Sequence, residues 1–397
     1  MIDPGIFCNL FISQDTLFFT GVPDSLLKNF CSWLTDHSAA VKNHIIAVNE
    51  GAAVALASGY HLATGKIPLV YMQNSGIGNA VSPLLSLADR DVYKIPMILL
   101  IGWRGEPGVP DEPQHLKQGK VTCDLFDAMD IPYLVLSENE HEVRKQIKEC
   151  YAHINKNGTP FALIARKNTF LPYLAPYSEQ ASQSDKNAPS SCFLMSREKA
   201  IEIIMRSSNP GEIFISTTGM ASRELYELRE KYNMGHEQDF LTVGSMGHAS
   251  SLALAVALHK PECQVNCLDG DGAALMHLGS MAAIGEQNLP NLRHFLLNNS
   301  AHDSVGGQPT IAGKIDLPGI ARSAGYSRVF SIKTEEELKN LLGEESLYEK
   351  YGTAFIEVLV CKGNRSDLGR PNSSPIENKE EFMRFLSKEE KDERMDN

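Results

Sequence analysis

Short apolar runs alternate with longer stretches of helical periodicity through most of the chain. The run IPMILLI, residues 95–101, is apolar at every position, which is typical of a strand buried on both faces of a parallel sheet. Runs of this kind end in polar or glycine-rich turns, and a segment with a helical pattern follows. This repeated order predicts an α/β protein built on doubly wound parallel sheets.

The alternation is interrupted between residues 171 and 193, where Pro, Ser, Gln and Asn dominate. We interpret this segment as a linker, because it has little apolar periodicity. It divides the chain into two expected α/β domains, residues 1–170 and residues 194–375. A charged tail over residues 376–397 is expected to be a terminal helix or a frayed end.

The strongest site signal lies in the second domain, around Gly270-Asp271-Gly272. A predicted strand over residues 263–268 leads into this turn, and a single helix is predicted over residues 273–286. Glycines let the backbone approach a phosphate closely, and the start of a helix presents N–H groups to an anion. The turn therefore predicts a phosphate-binding position at the carboxyl end of a strand, where open parallel sheets bind ligands.

A second polar strand end follows, because the apolar residues 293–297 stop at Asn298-Asn299. Asp271 and Asn299 offer carboxylate and amide oxygens, which are ligands that Mg²⁺ prefers beside substrate phosphates. The two strand ends together predict a diphosphate–Mg²⁺ site. The alternative is a surface turn rich in Asp and Gly. An EF-hand loop fits poorly, because no Glu closes the loop between His277 and Met281.

Gly-Asp-Gly, then the 25 residues from 273 to 297, then Asn-Asn resembles the cofactor signature of thiamine-diphosphate-dependent enzymes. By this resemblance Asp271, Asn299 and the carbonyl of Ala301 hold Mg²⁺ on the diphosphate of the cofactor. The cofactor itself would lie against the turn from Gly270 to Ala273, which includes Gly272.

The segment Gly244-Ser245-Met246-Gly247-His248 is similar to a second motif of the same enzymes. The resemblance implies that the carbonyl of Gly244 accepts from the 4′-amino group of the cofactor. It also implies that Met246 holds the cofactor in its bent shape. Without the resemblance, an ordinary core position is the alternative for Met246.

Glu50 lies at the end of a predicted strand, just before a helix of small residues predicted from Ala52 to Ala63. A charge that interacts favourably with the helix dipole is the simple interpretation. In thiamine-dependent enzymes a Glu at this position bonds the aminopyrimidine ring. The resemblance therefore makes Glu50 both a cofactor-binding and a catalytic candidate.

Other polar residues at strand ends are candidates for contact with an anionic substrate. His302 and Asp303 rank highest for proton transfer or substrate contact, because they follow the expected metal turn directly. The segment 73–79 and the segment 102–115 are expected to be loops. Helix capping or a solvated loop is the alternative for most of these positions. The substrate-binding candidates are Ser25, Asn49, Asn74, Arg104, His115 and Gln308.

The two halves resemble the pyrimidine-binding and diphosphate-binding domains of thiamine-dependent 2-oxo acid decarboxylases, with no central domain between them. The compact layout is similar to the branch whose small substrates carry a phosphonate or a sulfonate. The resemblance implies a homodimer or a higher homo-oligomer, in which Glu50 of one subunit meets the diphosphate-binding domain of another. Another decarboxylase or carboligase, and a non-catalytic subunit that binds the cofactor, remain alternatives.

Composition restricts the other classes of function. The 397 residues are enough for two cored domains, and the net charge of −12 argues against nucleic acid or an anionic membrane as the main partner. No apolar run approaches the roughly 20 residues that span a bilayer, and no basic leader precedes an apolar N-terminus. Eight scattered cysteines indicate reduced thiols, and hence a cytoplasmic protein.

Overall fold

A computed structural model describes residues 1–37, 43–173, 194–343 and 351–395. The chain forms two compact units, Met1–Pro189 and Ser190–Asn397. Most of the expected linker, residues 174–193, lies outside the described residues. Within the described ranges, no helix has the length and apolar character that crossing a bilayer requires.

The first unit is built on a six-stranded parallel sheet with the strand order β2-β1-β3-β4-β6-β5. Leu99 and Ile101 pack into one core and Leu100 into another, so β4 is covered on both faces. This explains why the run is apolar at every position. The strands are β1 Phe18–Gly21, β2 Asn43–Ile46, β3 Leu69–Gln73, β4 Ile98–Gly102, β5 Tyr133–Val135 and β6 Phe161–Ala165.

Helices cover both faces of this sheet. Asn49 caps α3, because its side chain accepts a bond from the amide of Ala52 at 2.8 Å. Glu50 is therefore the first residue of the helix, two residues earlier than the predicted start. The helices are α1 Pro4–Ile12, α2 Lys28–Asp36, α3 Glu50–Thr64, α4 Ile77–Pro83, α5 Pro113–Ala128 and α6 Glu140–Asn157.

Two predicted loops of this unit are wrong in part. Residues 73–79 were expected to be a loop, but a 3₁₀ turn over Asn74–Gly76 leads directly into α4. Ile77 and Ala80 are fully buried on that helix, and their packing outweighs the glycine content of the segment. The loop expected over residues 102–115 ends early, so His115 lies on α5.

The second unit contains another six-stranded parallel sheet, with the order β13-β14-β10-β9-β7-β8. A separate antiparallel pair follows β10 and consists of β11 Ala301–His302 and β12 Gln308–Pro309. The two sheets confirm the predicted fold class. The strands of the large sheet are β7 Ile213–Ser216, β8 Asp239–Leu241, β9 Val265–Gly270, β10 Leu292–Asn298, β13 Arg328–Ile332 and β14 Ala354–Leu359.

The single helix expected over residues 273–286 is wrong, because two helices occupy this stretch. α10 begins at Asp271 and stops at Met276, where His277 takes a φ of −130° and leaves the helical conformation. The second helix begins at Ser280. The helices of this unit are α7 Arg197–Arg206, α8 Met220–Lys231, α9 Ala249–His259, α10 Asp271–Met276, α11 Ser280–Gln287, α12 Leu317–Ser323, α13 Glu335–Gly343 and α14 Pro375–Met395.

Candidate active site

Asp271 lies at the carboxyl end of β9, as the first residue of α10, and is 3% exposed. Its Oδ2 accepts a bond from the hydroxyl of Thr310. Burial raises the pKa of this carboxyl to about 6, although bonds from Thr310 and from the amides of Asn299 and Gly272 work in the opposite direction. Among the described residues no cationic side chain contributes to the pKa of this buried carboxyl, so it suits a metal ion.

Asn299 directly follows β10, and its backbone amide contacts the Asp271 carboxylate. The Asn299 Oδ1 accepts from the amide of Ala301 at 3.0 Å, which holds the turn at Ser300 in a left-handed conformation with φ 54°. The predicted metal ligands Asp271 and Asn299 are thus brought together. All the oxygens of this turn are hard ligands, and the set therefore fits Mg²⁺.

Met246 and His302 both approach Gly272. A Cβ at Gly272 would lie 2.9 Å from the His302 ring and 3.4 Å from Cε of Met246, so only glycine fits here. The preceding loop is shaped by positive φ angles at Gly244 (74°) and Ser245 (47°). The second predicted motif therefore lies against the first, at the same edge of the sheet.

His302 is partly buried on β11, and its pKa is lowered to about 4 by burial, although Asp303 opposes the shift. The imidazole is therefore neutral at neutral pH. A neutral imidazole has one nitrogen that can donate a proton and one that can accept. His302 is consequently suited to proton transfer or to a hydrogen bond with a ligand above Gly272.

Asp303 is held by three donors. Its Oδ2 accepts from Asn299 Nδ2 at 2.6 Å, from Arg197 Nη1 at 3.1 Å and from the amide of Gly363 at 2.9 Å. Arg197 is in turn paired with Glu224, whose Oε2 lies 2.8 Å from Arg197 Nε. A carboxylate with these bonds is occupied in fixing Asn299, so the geometry favours a positioning role for Asp303 over proton transfer.

Gln308 is the least satisfied polar residue of this edge. It lies on β12, is 4% exposed, and pairs with His302 across the short antiparallel ladder. In the described part of the chain, neither amide atom of its side chain has a hydrogen-bond partner. Buried amides are normally bonded, so this side chain is ready for a ligand.

In the first unit Glu50 is buried, with 5% of its surface exposed. Its Oε2 accepts from Nδ2 of Asn79 at 2.8 Å, and a methyl group at Gly76 would overlap the carboxyl. Burial raises its pKa, although the bond from Asn79 opposes the shift. Glu50 is thus a buried carboxyl that can hold a proton.

Arg104 and Ser25 lie together at the carboxyl edge of the first sheet, but Arg104 is already paired. Its Nη1 donates to Ser25 Oγ at 2.8 Å, while Nε donates to Asp111 at 2.8 Å. The amides of Gly105 and Glu112 also donate to Asp111, each at 2.8 Å. Burial works to raise the pKa of Asp111, but the bonds from Arg104 and Gly105 lower it below its usual range.

Asn74 and His115 belong to the same polar group of the first unit. Asn74 Nδ2 donates to the carbonyl of Arg104 at 2.8 Å and to Thr122 Oγ1 at 2.9 Å. His115 is 8% exposed, and burial, with help from the charge of Arg104, lowers its pKa to about 4. Asn49 lies apart from them as the cap of α3.

Several residues of the two edges were missed by sequence reasoning. Arg197 contacts Asp303 across 106 positions, and Asp111 has no sequence motif that would mark it. His277 lies against the Gly247 loop, where a Cβ at Gly247 would be 2.6 Å from its ring. Gly279, inside the predicted helix and two residues after His277, was the available signal for a break at this point.

Comparison with known proteins agrees with this geometry. Residues 13–128 match the family model of the thiamine pyrophosphate enzyme, N-terminal TPP binding domain, and residues 217–358 match the C-terminal TPP binding domain. The chain belongs to the family of thiamine-diphosphate-dependent decarboxylases. It is accordingly a carboxy-lyase that uses thiamine diphosphate.

Three relatives match along nearly the whole chain. The phosphonopyruvate decarboxylase of Streptomyces hygroscopicus is 33% identical over 375 residues, which are 92% of this chain and 90% of that protein. The phosphonopyruvate decarboxylase of Streptomyces viridochromogenes is 32% identical over 372 residues, with shares of 92% and 90%. The sulfopyruvate decarboxylase of Methanosarcina acetivorans is 26% identical over 382 residues, with shares of 92% and 92%.

Proposed function

We propose that the chain decarboxylates 3-phosphonopyruvate to phosphonoacetaldehyde and CO₂. The bond between the carboxylate carbon and the ketone carbon breaks, CO₂ leaves, and a proton takes its place at the former ketone carbon. The convergence of Asp271, Met246 and His302 on Gly272 is the observation that carries this proposal. The identity to the two phosphonopyruvate decarboxylases favours this substrate.

Thiamine diphosphate supplies a carbon nucleophile and an electron sink for decarboxylation when it is bound. Asp271, Asn299 and the carbonyl of Ala301 would hold Mg²⁺ on its diphosphate. The backbone from Gly270 to Ala273 would face the phosphates, because α10 begins there. The raised pKa of Asp271 supports this assignment, since a cation would relieve an otherwise unpaired buried charge.

Glu50 would hold a proton at a nitrogen of the aminopyrimidine. Its raised pKa suits this exchange, because a carboxyl that titrates nearer to neutral pH can both hold and release a proton. Asn79 fixes the carboxyl by its bond to Oε2, and Gly76 leaves room for it. The Gly244 carbonyl would accept from the 4′-amino group, with Met246 beneath the bend.

His302 would deliver the proton that replaces CO₂, or would bond the substrate at the same place. Its ring is neutral and lies against Gly272, where the expected cofactor site begins. Asp303 would keep Asn299 in position, and we do not assign it a proton-transfer step. Gln308 would bond the substrate with its unpartnered amide.

The phosphonate end of the substrate needs donors, although the chain as a whole is negative. Arg104 donates two hydrogen bonds to the carboxylate of Asp111, which neutralises its charge. It would therefore contribute a directed hydrogen bond to the phosphonate more than net positive charge. Ser25, Asn74 and His115 are grouped with it in the first unit. We propose this group, together with Asn49, as the set from which the phosphonate contacts come.

The proposal includes an assembly of at least two copies in the cytoplasm. Helix α3 is apolar on several sides, and Leu56 and Leu62 are 37% and 71% exposed. Helices of this type are normally covered, and a second copy of the chain would cover this face. Sedimentation should therefore give a mass of at least twice 43.7 kDa at micromolar concentration.

Sulfopyruvate is the second candidate substrate, because a relative that matches 92% of this chain is a sulfopyruvate decarboxylase. The two substrates share the 2-oxo acid and differ in the charge of the second acidic group. Release of phosphonoacetaldehyde would connect the enzyme with phosphonate biosynthesis. Release of sulfoacetaldehyde would keep the chemistry and change the pathway.

Steady-state turnover of 3-phosphonopyruvate, sulfopyruvate and pyruvate separates these possibilities. Each is supplied to the holoenzyme with saturating Mg²⁺ and thiamine diphosphate, and CO₂ and aldehyde are both measured. We expect kcat/KM for 3-phosphonopyruvate to exceed the other two by at least about tenfold, because one missing charge contact costs about that much. A preference for sulfopyruvate would overturn the substrate, and turnover of none would favour a non-catalytic subunit.

A further inference from the structure

A buried polar cluster lies in the second sheet, directly below the Gly270–Gly272 turn. Cys267 and Asp269 are alternate residues of β9, and His294 is the neighbour of Cys267 on β10 in the parallel register. The three side chains are almost fully buried, with exposures of 1%, 0% and 1%. Their ligand-type atoms lie within 4.8 Å of one another.

The contacts of His294 connect this cluster to Tyr326, which lies two residues before β13. His294 Nδ1 is 3.0 Å from the hydroxyl of Tyr326, and Nε2 is 3.4 Å from Oδ2 of Asp269. Among the described residues neither of these two facing atoms has a hydrogen-bond partner, so the His294–Asp269 approach is a close electrostatic contact. If Tyr326 donates to Nδ1, then Nε2 carries the hydrogen on the side of the ring that faces the Asp269 carboxylate at 3.4 Å.

The other oxygen of Asp269 reaches the cofactor turn. Oδ1 accepts from the amide of Gly270 at 2.9 Å, and Asp269 stands two residues before Asp271. A carboxylate that accepts a backbone N–H fixes the orientation of that peptide. The cluster therefore links Tyr326, through His294 and Asp269, to the first peptide of the turn.

A bound metal ion is the competing interpretation, because Cys, Asp and His are common ligands. The contacts of His294 argue against it. Metal-bound histidines usually have a carboxylate or carbonyl partner on the second nitrogen, whereas the partner of His294 Nδ1 is the hydroxyl of Tyr326.

We propose that Tyr326, His294 and Asp269 are positioning residues that fix the Gly270 peptide and thereby strengthen binding of Mg²⁺ and thiamine diphosphate. This inference rests on the proposed function, because it assumes that the turn receives the diphosphate. It assigns no proton transfer to the three residues. They act through the backbone, so they should affect the affinity for the cofactor more than the chemical step.

Four conservative variants separate positioning from general loss of stability. Asp269→Asn keeps the shape and removes the charge. His294→Phe keeps an aromatic ring beside Phe355 and Tyr326, whose rings are 5.5 Å and 6.1 Å from that of His294. Tyr326→Phe removes one hydroxyl. Cys267→Ser is the matched control, because it alters the same buried strand without touching Gly270.

The first readout needs no cofactor. Hydrogen exchange of the Gly270 amide is measured in the apoprotein. Asp269→Asn and His294→Phe should accelerate it by about tenfold or more, since the acceptor of the Gly270 N–H loses its charge in the first variant and the ring that faces it in the second. Tyr326→Phe should accelerate it about twofold, and Cys267→Ser should leave it unchanged. Equal exchange in all four variants and the wild type would overturn the proposal.

The second readout is the dissociation constant of thiamine diphosphate at saturating Mg²⁺, from tryptophan fluorescence. We expect it to rise by about tenfold in Asp269→Asn and His294→Phe, while kcat at saturating cofactor stays within about threefold of wild type. A lower kcat with unchanged affinity would contradict the inference. One equivalent of zinc that is present in the purified wild type and absent from Cys267→Ser would also contradict the inference.

The two proposals fail in different ways. If the wild type bound the cofactor but turned over no 2-oxo acid, the proposed function would fail, and the exchange and affinity data would still decide the inference. If the enzyme were active and Asp269→Asn bound the cofactor as tightly as wild type, only the inference would fail.

Discussion

Both units have polar side chains at the carboxyl edge of a parallel sheet, but the side chains differ in how far their hydrogen bonds are satisfied. In the first unit Arg104, Asp111, Asn74 and Ser25 bond one another. In the second unit Gln308 has an unpartnered amide among the described residues, and Asp271 has a raised pKa. Within the described residues these four side chains of the first unit have partners, although Nδ1 of His115 beside them has none, whereas both amide atoms of Gln308 in the second unit are without one.

This difference indicates which region is prepared for the metal and the diphosphate. A closed network contributes stability and a fixed shape, because each buried group already has its bonds. An open set of buried groups costs stability until a ligand supplies the missing bonds. Changes that break the Arg104–Asp111 network should therefore lower stability without selectively weakening the cofactor, and changes in the second group should mainly affect binding of the metal and the cofactor. Glu50 is the exception in the first unit, since it lies outside the closed group.

The largest effect is expected for Glu50→Gln. The variant cannot exchange a proton with the aminopyrimidine, so kcat for CO₂ release should fall at least about a hundredfold. The affinity for thiamine diphosphate should change by less than about tenfold, because the amide can still form a hydrogen bond. A variant with near-normal kcat would mean that Glu50 only interacts with the dipole of α3.

Removing the carboxylate of Asp271 should abolish the stabilisation of the protein by Mg²⁺ and thiamine diphosphate. At about 100 times the dissociation constant, Mg²⁺ and thiamine diphosphate should add about 2.7 kcal/mol to the stability of the wild type. Asp271→Asn should lose most of this gain in a thermal melt. The control is Asp316→Ala, which removes the bond from the amide of Gly319 at the start of α12. It should lower stability and keep the ligand-induced gain.

Breaking the closed group should destabilise the protein without selectively weakening the cofactor. Arg104→Gln leaves Asp111 with its backbone donors alone, and we expect a loss of about 2–3 kcal/mol. Arg144→Gln is the matched control, because its partner Glu140 and Arg144 itself are 43% and 45% exposed. It should cost under about 1 kcal/mol. Equal losses in both variants would contradict the closed-network interpretation.

The smallest effect concerns pH and His115. Its pKa is about 4 in the folded protein, below the ordinary value of 6.5, so protonation favours the unfolded chain. Its contribution to stability is present above pH 6.5 and is lost as the pH falls towards 4. Between pH 7 and pH 5 we expect a loss of about 1–2 kcal/mol that His115→Gln removes.

The control for this pH effect is His141→Gln, because His141 is exposed at the start of α6. That variant should keep the pH dependence of the wild type in urea unfolding. A profile for His115→Gln that matched wild type would show that His115 is not held neutral by its surroundings.

The sequence predicted the parts of the molecule that depend on neighbouring residues. Continuous apolar runs marked the buried strands, and Gly270-Asp271-Gly272 marked the turn, because both signals are local. Contacts between distant residues were not predictable. The bond of Arg197 to Asp303 depends on how α7 lies beside β11, and no spacing in the chain encodes it.

Local composition was also misleading at two places. The glycine-rich segment 73–79 forms a helical turn and α4, because Ile77 and Ala80 gain burial that compensates for weak helix propensity. The helix expected over residues 273–286 breaks at His277, where the side chain packs against the Gly247 loop. In both cases tertiary packing, which a single sequence does not display, decides the backbone.

The most direct test of the proposed Mg²⁺ and diphosphate site around Asp271 is CO₂ release from 3-phosphonopyruvate after the protein has been freed of metal and cofactor. Mg²⁺ and thiamine diphosphate are then added separately and together. We expect release only when both are present, with phosphonoacetaldehyde formed in equal amount. Release without either one, or no release with both despite measured cofactor binding, would contradict the account.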